Sequence, residues 1–580
     1  MDITSQAFAF HLPRILAELA TCCFVSIDLE FSGIASKAQG KPVKSLRTLQ
    51  ERYAETKNAA EKYQVLQIGL TICHEDTETA SYTLKPYNIY LNPIIDRKLD
   101  MERDFSFQGS AVEFLLGAKF RMDSLFTDGV CYLSREEEDI AMSMALERRD
   151  GSTVRDALNV KETEHESLSF LTKVRRLIDD WLALGNNRED FLNVPPPTRS
   201  DSPGTQLFPS VLNRFQRRLV HQLIEVEYPS LVTVSKQTFI QIIAYDEDRE
   251  KAVRDQKHRR TQERIWGQVG FRWVAEALAG GDLSNLDPGY FRATLNSPAI
   301  KSKDDLEASV GQLKQQVRSN RPVLVGHNLF TDVIYFCRCF FGPLPDKVED
   351  FQAMVHGLFP VLMDTKYMAT HDCGSINPTS SLTEINDSLA QMTLPSITVH
   401  HQHTKYNTQQ VVHEAGYDSL LTARAFIKLS SQLREGGTSK CHNAVHDQTA
   451  QRIPHGIVHG RPSELTRIES SEATGLPIEN TNRHPDQTAT ESHKPAANVG
   501  HRTKYDALGF EDPVDTRDTT MHPEESKMPL QAASKEVMRM VDRGELIPRF
   551  GAEFWKVYGN KLRVFGTEER VCSVGNFAPE

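Results

Sequence analysis

Long apolar runs, a basic leader and an excess of positive charge are all lacking in this sequence of 580 residues. No stretch approaches the roughly 18 apolar residues that a membrane helix needs, and residues 1–10 carry no basic start of the kind that opens a signal peptide. These absences predict a soluble intracellular protein without membrane contact, in the nucleus, the cytoplasm or both.

Paired cysteines are also lacking. The nine cysteines are scattered, and Cys337 and Cys339 stand one residue apart with no CxxC pair in the chain. Such spacing fits neither a disulfide framework nor a zinc finger, so we expect reduced, mostly buried thiols.

The formal net charge of -11 excludes a protein that coats nucleic acid through its overall charge. Phosphate binding depends on clustered Lys and Arg, so any RNA contact must be local. Basic clusters at 214–218 and 251–260 are candidates for such a contact. Runs of this kind equally form solvated helix faces.

What the chain does have is an apolar periodicity from Leu12 to about Ser430. Residues 435–529 lose this pattern and are rich in Thr, Ser, Asn, Pro, Glu and His. The change predicts a folded core followed by a disordered C-terminal linker. At this length the core is expected to contain more than one domain.

Within the core, the patterns predict buried strands and amphipathic helices in a β-rich opening followed by a largely helical middle. Strands are predicted at 22–27, 65–73, 80–91, 238–245 and 323–325. Helices are predicted at 111–116, 136–148, 166–184, 211–227 and 333–341, with one long charged helix at 247–279 and a polar insert at 280–320.

A pair of carboxylates marks the end of the first strand. Asp28 and Glu30 alternate with Ile27 and Leu29, so both acids project from one face while the apolar pair faces the core. Neighbouring carboxylates repel unless a cation neutralises them, and Mg²⁺ suits oxygen ligands. Taken alone, the same pattern also fits an exposed, solvated strand end.

Two further motifs follow at strand and helix ends. Residues 325–332 read V-G-H-N-L-F-T-D, and Asp332 falls in the first turn of a predicted helix, where a carboxylate gains from the amide dipole. His413 and Asp418, five positions apart, open a later helix and can reach one site beside its N-terminus. These residues also have structural explanations. Asp332, and Glu414 next to His413, could be ordinary helix-start charges, and His413 could be a structural histidine.

The motif order D-x-E, G-H-N-x-x-x-D and H-x-x-x-x-D resembles that of the DEDDh exonucleases. Segments 31–34, 67–70, 132–138 and 359–368 look like the poly(A)-specific ribonuclease family, and the likeness covers 12–429. The resemblance implies a ribonuclease-H-like α/β fold with a mixed sheet flanked by helices. It also implies a 3′–5′ exoribonuclease that shortens poly(A) tails, releases nucleoside 5′-monophosphates and forms a homodimer.

On this resemblance the site residues fall into two groups. The expected ligands of two Mg²⁺ ions, with Mn²⁺ as a substitute, are Asp28, Glu30, Asp332 and Asp418, and His413 is the expected base. Contacts to single-stranded RNA with a free 3′ end are expected from Phe31, Ile34, Asn328, Lys366, Arg217 and His221. Phe31 and Ile34 could instead pack in the core. Arg217 and His221 could instead lie on a surface helix that binds no ligand.

The expected domain division follows from the same resemblance. It consists of a nuclease domain at 1–160 and 247–430, an inserted small α/β nucleic-acid-binding domain of the Arg-x-x-x-His type at 161–246, a disordered linker at 431–535 and a short folded segment at 536–580. The last segment is too short for an RNA recognition motif. Its aromatic and basic residues fit either RNA stacking or docking on the nuclease.

Three rival functions stay open on the sequence. Relatives of this family trim the 3′ ends of small noncoding RNAs, and the motifs do not separate that activity from deadenylation. DNA exonucleases share the signature. A non-catalytic RNA-binding scaffold is the third reading, although it has no need of four carboxylates and a histidine together.

Overall fold

The computed structural model describes residues 1–35, 46–76, 79, 81–149, 164–196, 208–209, 211–291, 302–371, 380–433, 547–548 and 552–575. Apart from its first three positions, the predicted linker at 431–535 lies outside these residues. None of the described helices combines the length and apolar character needed to cross a bilayer. The seven cysteines in the described part are free thiols, four of them buried.

A mixed sheet of eight strands forms the centre of the molecule, in the order β1-β4-β3-β2-β9-β10, with β5 and β11 also paired to β4. β3 is antiparallel to β2 and β4, whereas β9 and β10 run parallel to β2. The strands are β1 Asp2–Ile3, β2 Phe24–Phe31, β3 Val65–Asp76, β4 Ser81–Asn92, β5 Val130–Cys131, β9 Val323–Gly326, β10 Leu362–Asp364 and β11 Ser396–Val399.

Helices cover both faces of this sheet, because its central strands are apolar on both sides. Val25, Ile27 and Leu29 of β2 pack into one core and Phe24 into the other. The helices outside the inserted unit are α1 Ser5–Leu19, α2 Leu49–Lys62, α3 Gly109–Gly117, α4 Ser124–Thr127, α5 Arg135–Arg149, α8 Glu247–Val269, α9 Arg272–Ala279, α10 Lys303–Ser319, α11 Phe330–Phe340, α12 Val348–Leu358, α13 Thr365–Thr370, α14 Leu382–Ser388, α15 Lys405–Thr408 and α16 Ala415–Gln432. Short 3-10 helices occur at Arg97–Leu99, Gly185–Asn187 and Pro288–Phe291. The predicted mixed α/β sheet flanked by helices is confirmed.

A second, three-stranded sheet lies between α5 and α8 in the chain, in the order β6-β8-β7. Its own apolar core joins it to two helices and is separate from the cores of the main sheet. Its elements are α6 His165–Ala183, β6 Phe191–Val194, α7 Arg214–Glu227, β7 Leu231–Ser235 and β8 Ile240–Ala244. The division of the chain into domains stays our proposal.

Two predicted segments are corrected by the structure. The single helix predicted over 247–279 is two helices, because Gly270 has a φ of 51° and the chain turns there to lie against Cys131. Phe271 N–H donates to the Cys131 carbonyl at 3.0 Å. The segment 280–320 contains the helix α10, whose Leu306, Val310 and Val317 belong to the main core.

Residues 547–548 and 552–575 return to the main sheet and form what we call the C-terminal clasp. It consists of α17 Glu553–Tyr558 and a hairpin of β12 Lys561–Arg563 and β13 Val571–Ser573. Phe554, Trp555 and Tyr558 pack into the core on one face of the sheet, and the hairpin packs into the core on the other. The clasp therefore wraps around the edge of the sheet next to β10.

Candidate active site

Three carboxylates meet on the face of the main sheet that α16 covers. Asp28 and Glu30 project from β2, and Asp418 stands in the first turn of α16. One oxygen of each lies within 4.8 Å of the others, and all three side chains are buried. The predicted alternation along β2 therefore brings both acids to one face, and α16 supplies the third.

A glycine allows α16 to approach this closely. Gly69 of β3 lies opposite Asp28, and a Cβ atom there would stand 1.7 Å from the carbonyl oxygen of Ala415. Ser26 Oγ donates to the Ser419 carbonyl at 2.7 Å, which fixes the same turn to β2. Any side chain at position 69 would push Asp418 away from β2.

Two buried amides fix the first residues of α16. Gln67 of β3 lies opposite Glu30, and its Oε1 accepts from Ala415 N–H at 3.0 Å. Asn88 Oδ1 accepts from Gly416 N–H at 3.1 Å. Neither residue is among the predicted site residues, although a polar residue inside an otherwise apolar strand indicates a role, because a buried amide requires partners.

Asp332 reaches the site from the opposite side of β2. It lies in the first turn of α11, and its Oδ1 accepts from Leu29 N–H at 3.1 Å. Leu29 stands between Asp28 and Glu30, so this contact holds the fourth predicted carboxylate against the same stretch of backbone. The structure does not include Asp332 in the 4.8 Å group.

The loop before α11 is fixed by a buried carboxylate, Asp364, at the end of β10. Its Oδ1 accepts from Asn328 N–H and Lys366 N–H, both at 2.9 Å. Its Oδ2 accepts from Leu329 N–H at 3.2 Å and from Arg563 N–H at 2.9 Å. Burial raises the pKa of Asp364, and these backbone donors oppose that effect by favouring the ionised form.

Both loops that carry predicted site residues contain a strained backbone position. Asn328 has a φ of 56° and His413 a φ of 65°, and both are non-glycine residues in the left-handed region. Asparagine tolerates this conformation better than histidine does. Such strain persists only where surrounding contacts enforce it, and it is typical of functional loops.

His413 lies two residues before α16, at the same end of that helix as Asp418. It is half-buried, and its ring packs edge-on against Phe114 with the ring centroids 4.9 Å apart. The neighbouring Glu414 accepts a hydrogen bond from Tyr406 at 2.5 Å and is paired with Lys405. Glu414, the residue immediately before α16, is thus engaged by Tyr406 and Lys405, and His413 precedes it in the chain.

Three of the predicted RNA contacts near the carboxylates are buried. Phe31 is buried, with its ring centroid 4.3 Å from that of Tyr335, and Ile34 is buried too. Lys366 is buried and its ammonium group donates to the Ser380 carbonyl. RNA contact by these residues stays a prediction.

The predicted Arg-x-x-x-His pair lies on α7 of the inserted unit. Arg217 donates to the carbonyls of Lys236 and Gln237, the second at 3.0 Å. The His221 ring nitrogens lie 2.7 Å from Thr233 Oγ1 and 2.9 Å from Ser235 Oγ. Both side chains therefore join α7 to β7 and to the β7–β8 turn, and RNA binding by them stays a prediction.

The donor set fits a hard divalent cation. Three buried carboxylates with oxygens within 4.8 Å of one another repel strongly without a counter-charge. Carboxylate oxygens are the ligands that Mg²⁺ and Mn²⁺ take in proteins. The cluster offers no sulfur or imidazole ligand, which argues against a zinc centre of the usual kind.

Adding Mg²⁺ is expected to raise the thermal unfolding midpoint. A Mg²⁺ concentration about 100 times its dissociation constant stabilises the folded state by about 2.7 kcal/mol, which raises the unfolding midpoint by a few degrees. Differential scanning fluorimetry with Mg²⁺, Mn²⁺ or EDTA measures it. Asp418→Asn is expected to lose most of the rise, whereas the exposed Glu307→Gln keeps it. No rise with either ion in the wild type contradicts a metal site.

The fold and the site together define an α/β protein with an acidic, metal-type centre at the ends of its central strands. This chain belongs to the CAF1 family of ribonucleases, whose family model matches residues 3–426. The matched region contains all four predicted carboxylates and His413.

Two relatives and one solved structure are similar to this chain. The poly(A)-specific ribonuclease PARN of Xenopus laevis is 26% identical over 456 residues, which cover 75% of this chain and 63% of that protein. The pre-piRNA 3′-exonuclease trimmer of Bombyx mori is 23% identical over 496 residues, 82% of this chain and 81% of that protein. The Mg²⁺- and Mn²⁺-bound form of S. pombe Pop2p is 13% identical, with a TM-score of 0.31 over 74% of this chain and 92% of that one.

Proposed function

We propose that the protein is a 3′–5′ exoribonuclease of the DEDDh type that hydrolyses RNA from a free 3′ end to nucleoside 5′-monophosphates. The observation that carries the proposal is the meeting of Asp28, Glu30 and Asp418 within 4.8 Å. Membership of a ribonuclease family supports the same reaction class. Like charges in a buried group destabilise the fold. A cation that binds them beside the reacting phosphate offsets this cost.

Each residue has a distinct part in the proposed mechanism. Asp28, Glu30, Asp332 and Asp418 would hold two Mg²⁺ ions, or Mn²⁺ in their place. Such ions would supply positive charge to neutralise the charge that develops on the phosphate and the leaving oxygen. His413 takes a proton from the attacking water, a role suited to an imidazole near neutral pH.

Asp332 differs from the other three carboxylates in how it is held. Leu29 N–H donates to its Oδ1 at 3.1 Å, so Asp332 is fixed to the backbone of β2. Asp28, Glu30 and Asp418 form the tighter group. We therefore expect the three-carboxylate group to bind one ion more strongly, and Asp332 to contribute to the weaker one.

Poly(A) tails are the first proposed substrate. The chain is similar to a poly(A)-specific ribonuclease, of whose length it covers 63%. We therefore propose deadenylation as the activity. We also propose a homodimer and a location in the nucleus, the cytoplasm or both. Light scattering on the purified protein and imaging of a tagged chain test these two properties.

Trimming of small noncoding RNAs is the second candidate, because the chain is also similar to a pre-piRNA 3′-exonuclease trimmer, at 23% identity over 81% of that protein. The active-site residues do not separate the two substrates.

The experiment uses three 5′-labelled RNAs: one ending in an adenosine tract, one of mixed sequence and one with a 3′ hairpin. Each is incubated with the protein and either Mg²⁺ or EDTA, and a matched DNA is included. Metal-dependent shortening from the 3′ end supports the proposal, and His413→Ala is expected to reduce its rate by about 10²–10⁴-fold. Preference for the adenosine tract favours deadenylation, whereas equal use of the mixed sequence favours trimming.

Two outcomes of that experiment reject the proposal. RNA that is bound but left intact under every metal makes the protein a scaffold. Cleavage of DNA in preference to RNA means that the substrate class is DNA, although the metal-dependent hydrolysis is the proposed one. Single-stranded RNA is usually read by stacking and shape, so binding alone does not distinguish an enzyme from a scaffold.

A further inference from the structure

The C-terminal clasp contacts the sheet beside the candidate active site. Asn560 is fully buried, and its Oδ1 accepts from Leu362 N–H at 2.8 Å while its Nδ2 donates to the Pro360 carbonyl at 2.9 Å. Its own N–H donates to the Leu362 carbonyl at 2.9 Å. One residue of the clasp thus satisfies three backbone groups at the start of β10.

A second set of contacts joins the clasp to the start of α2. Arg47 N–H donates to the Gly566 carbonyl, and Glu568 N–H returns to the Arg47 carbonyl at 2.8 Å. Leu49 N–H donates to Glu569 Oε2 at 2.8 Å. The clasp is therefore held on both sides of the sheet edge, by main-chain bonds as well as by apolar packing.

The contact that reaches toward the site is the one between Arg563 and Asp364. Arg563 N–H donates to Asp364 Oδ2 at 2.9 Å, and the same oxygen accepts from Leu329 N–H. Asn328 N–H donates to the other oxygen. A single buried carboxylate therefore joins the clasp to the loop 326–329.

That loop leads directly into the site. Leu329 precedes the first residue of α11, and Asp332 in the first turn accepts from Leu29 N–H between Asp28 and Glu30. Asn328 is held in the left-handed region, so the loop requires fixed partners to keep its shape. The path from Arg563 to Asp332 consists of hydrogen bonds from main-chain N–H groups to the Asp364 carboxylate and one turn of helix.

We propose that the clasp is a positioning element of the active site: Arg563 N–H fixes Asp364, Asp364 fixes the loop 326–329, and this loop sets the position of Asp332. The catalytic part of this inference rests on the proposed nuclease function. Its structural part does not, because it concerns only how firmly the loop is held.

The test compares two substitutions of one residue in the full chain. Arg563→Pro removes the N–H, and proline is tolerated best at strand edges such as this one. Arg563→Ala keeps the N–H and removes only the side chain, so it serves as the matched control.

Asp364→Asn is the second test, because an amide nitrogen cannot accept a hydrogen bond from an N–H. Val574→Ala shortens a buried residue of the same clasp whose N–H donates to the Asn560 carbonyl, and it controls for loss of stability.

Amide hydrogen exchange of peptides covering 326–330 is the first readout, and RNA hydrolysis the second. Arg563→Pro and Asp364→Asn are expected to speed exchange in this loop by about tenfold or more. They are expected to lower kcat by about 10–100-fold with little change in KM for RNA, as losses of supporting contacts at metal sites do. Arg563→Ala and Val574→Ala are expected to leave loop exchange and kcat within about twofold at a temperature where each is folded.

The possible results separate the two proposals. Unchanged exchange and kcat in Arg563→Pro and Asp364→Asn overturn the positioning role, and so does an Arg563→Ala variant as damaged as Arg563→Pro. If the wild type hydrolyses no nucleic acid, the proposed function fails, and the exchange data still decide whether the clasp holds the loop.

Discussion

Asp28→Asn is expected to abolish RNA hydrolysis, with a loss on the order of 10³-fold or more, and at the same time to raise the unfolding midpoint in EDTA. The two effects have one cause. Two unit charges within 4.8 Å of each other repel by about 3 kcal/mol or more at an effective dielectric constant of about 20, so removing one of three relieves the metal-free fold. The same change removes a ligand from the site.

Initial rates on labelled RNA and thermal melts with and without Mg²⁺ measure this prediction. Glu307→Gln is the control, because Glu307 is an exposed carboxylate paired with Lys303 on α10, and it is expected to change neither quantity. An Asp28→Asn protein that is active, or less stable than the wild type in EDTA, contradicts a strained cation site. Gain of stability with loss of activity is the pattern expected of functional residues in general.

Gly69→Ala is expected to lower kcat by about 10²-fold and to destabilise the fold by about 1–3 kcal/mol. A Cβ at this position would lie 1.7 Å from the Ala415 carbonyl oxygen and 2.6 Å from Gly416 N. These are backbone atoms, so the clash cannot be relieved by a side-chain rotation. The first turn of α16 must move, and Asp418 moves with it.

A matched glycine is available in α10. Gly311 has open space where its Cβ would stand, so Gly311→Ala is expected to stabilise the fold by about 0.5–1 kcal/mol and to leave hydrolysis unchanged. Steady-state kinetics and urea unfolding compare the two variants. Wild-type kcat in a stably folded Gly69→Ala protein means that the close approach of α16 is not required for the reaction.

Four strands of the main sheet, β2, β3, β4 and β9, could be predicted from the sequence because their period-two or apolar patterns are strong. The other four, β1, β5, β10 and β11, were not predicted, because segments of two to four residues are too short to show a period. The face that carries Asp28 and Glu30 followed from this alternation alone. The break at Gly270 could not be predicted from periodicity, because it depends on a distant backbone contact with Cys131. The helix α10 was missed because its buried Leu306, Val310 and Val317 are spaced among many polar residues.

The supporting residues of the site leave a signal in the sequence, a polar residue within a buried strand, but this signal does not identify their partners. Gln67, Asn88 and Asp364 act through backbone groups on other elements, and a main-chain partner leaves no motif in the sequence. The clasp was left open between docking and RNA stacking, since aromatic and basic residues suit both. The buried Trp555 and Asn560 establish docking for the described part of that segment.

The hydrogen bond between Ser26 and Ser419 has a consequence for synthesis of the protein on the ribosome. Its partners are 393 residues apart in the chain. At about 5–20 residues per second, the strand that carries Asp28 and Glu30 leaves the ribosome roughly 20–80 s before the helix that carries Asp418. A nascent chain therefore has an incomplete site for most of its translation, and a product of early termination cannot degrade RNA by the mechanism proposed above.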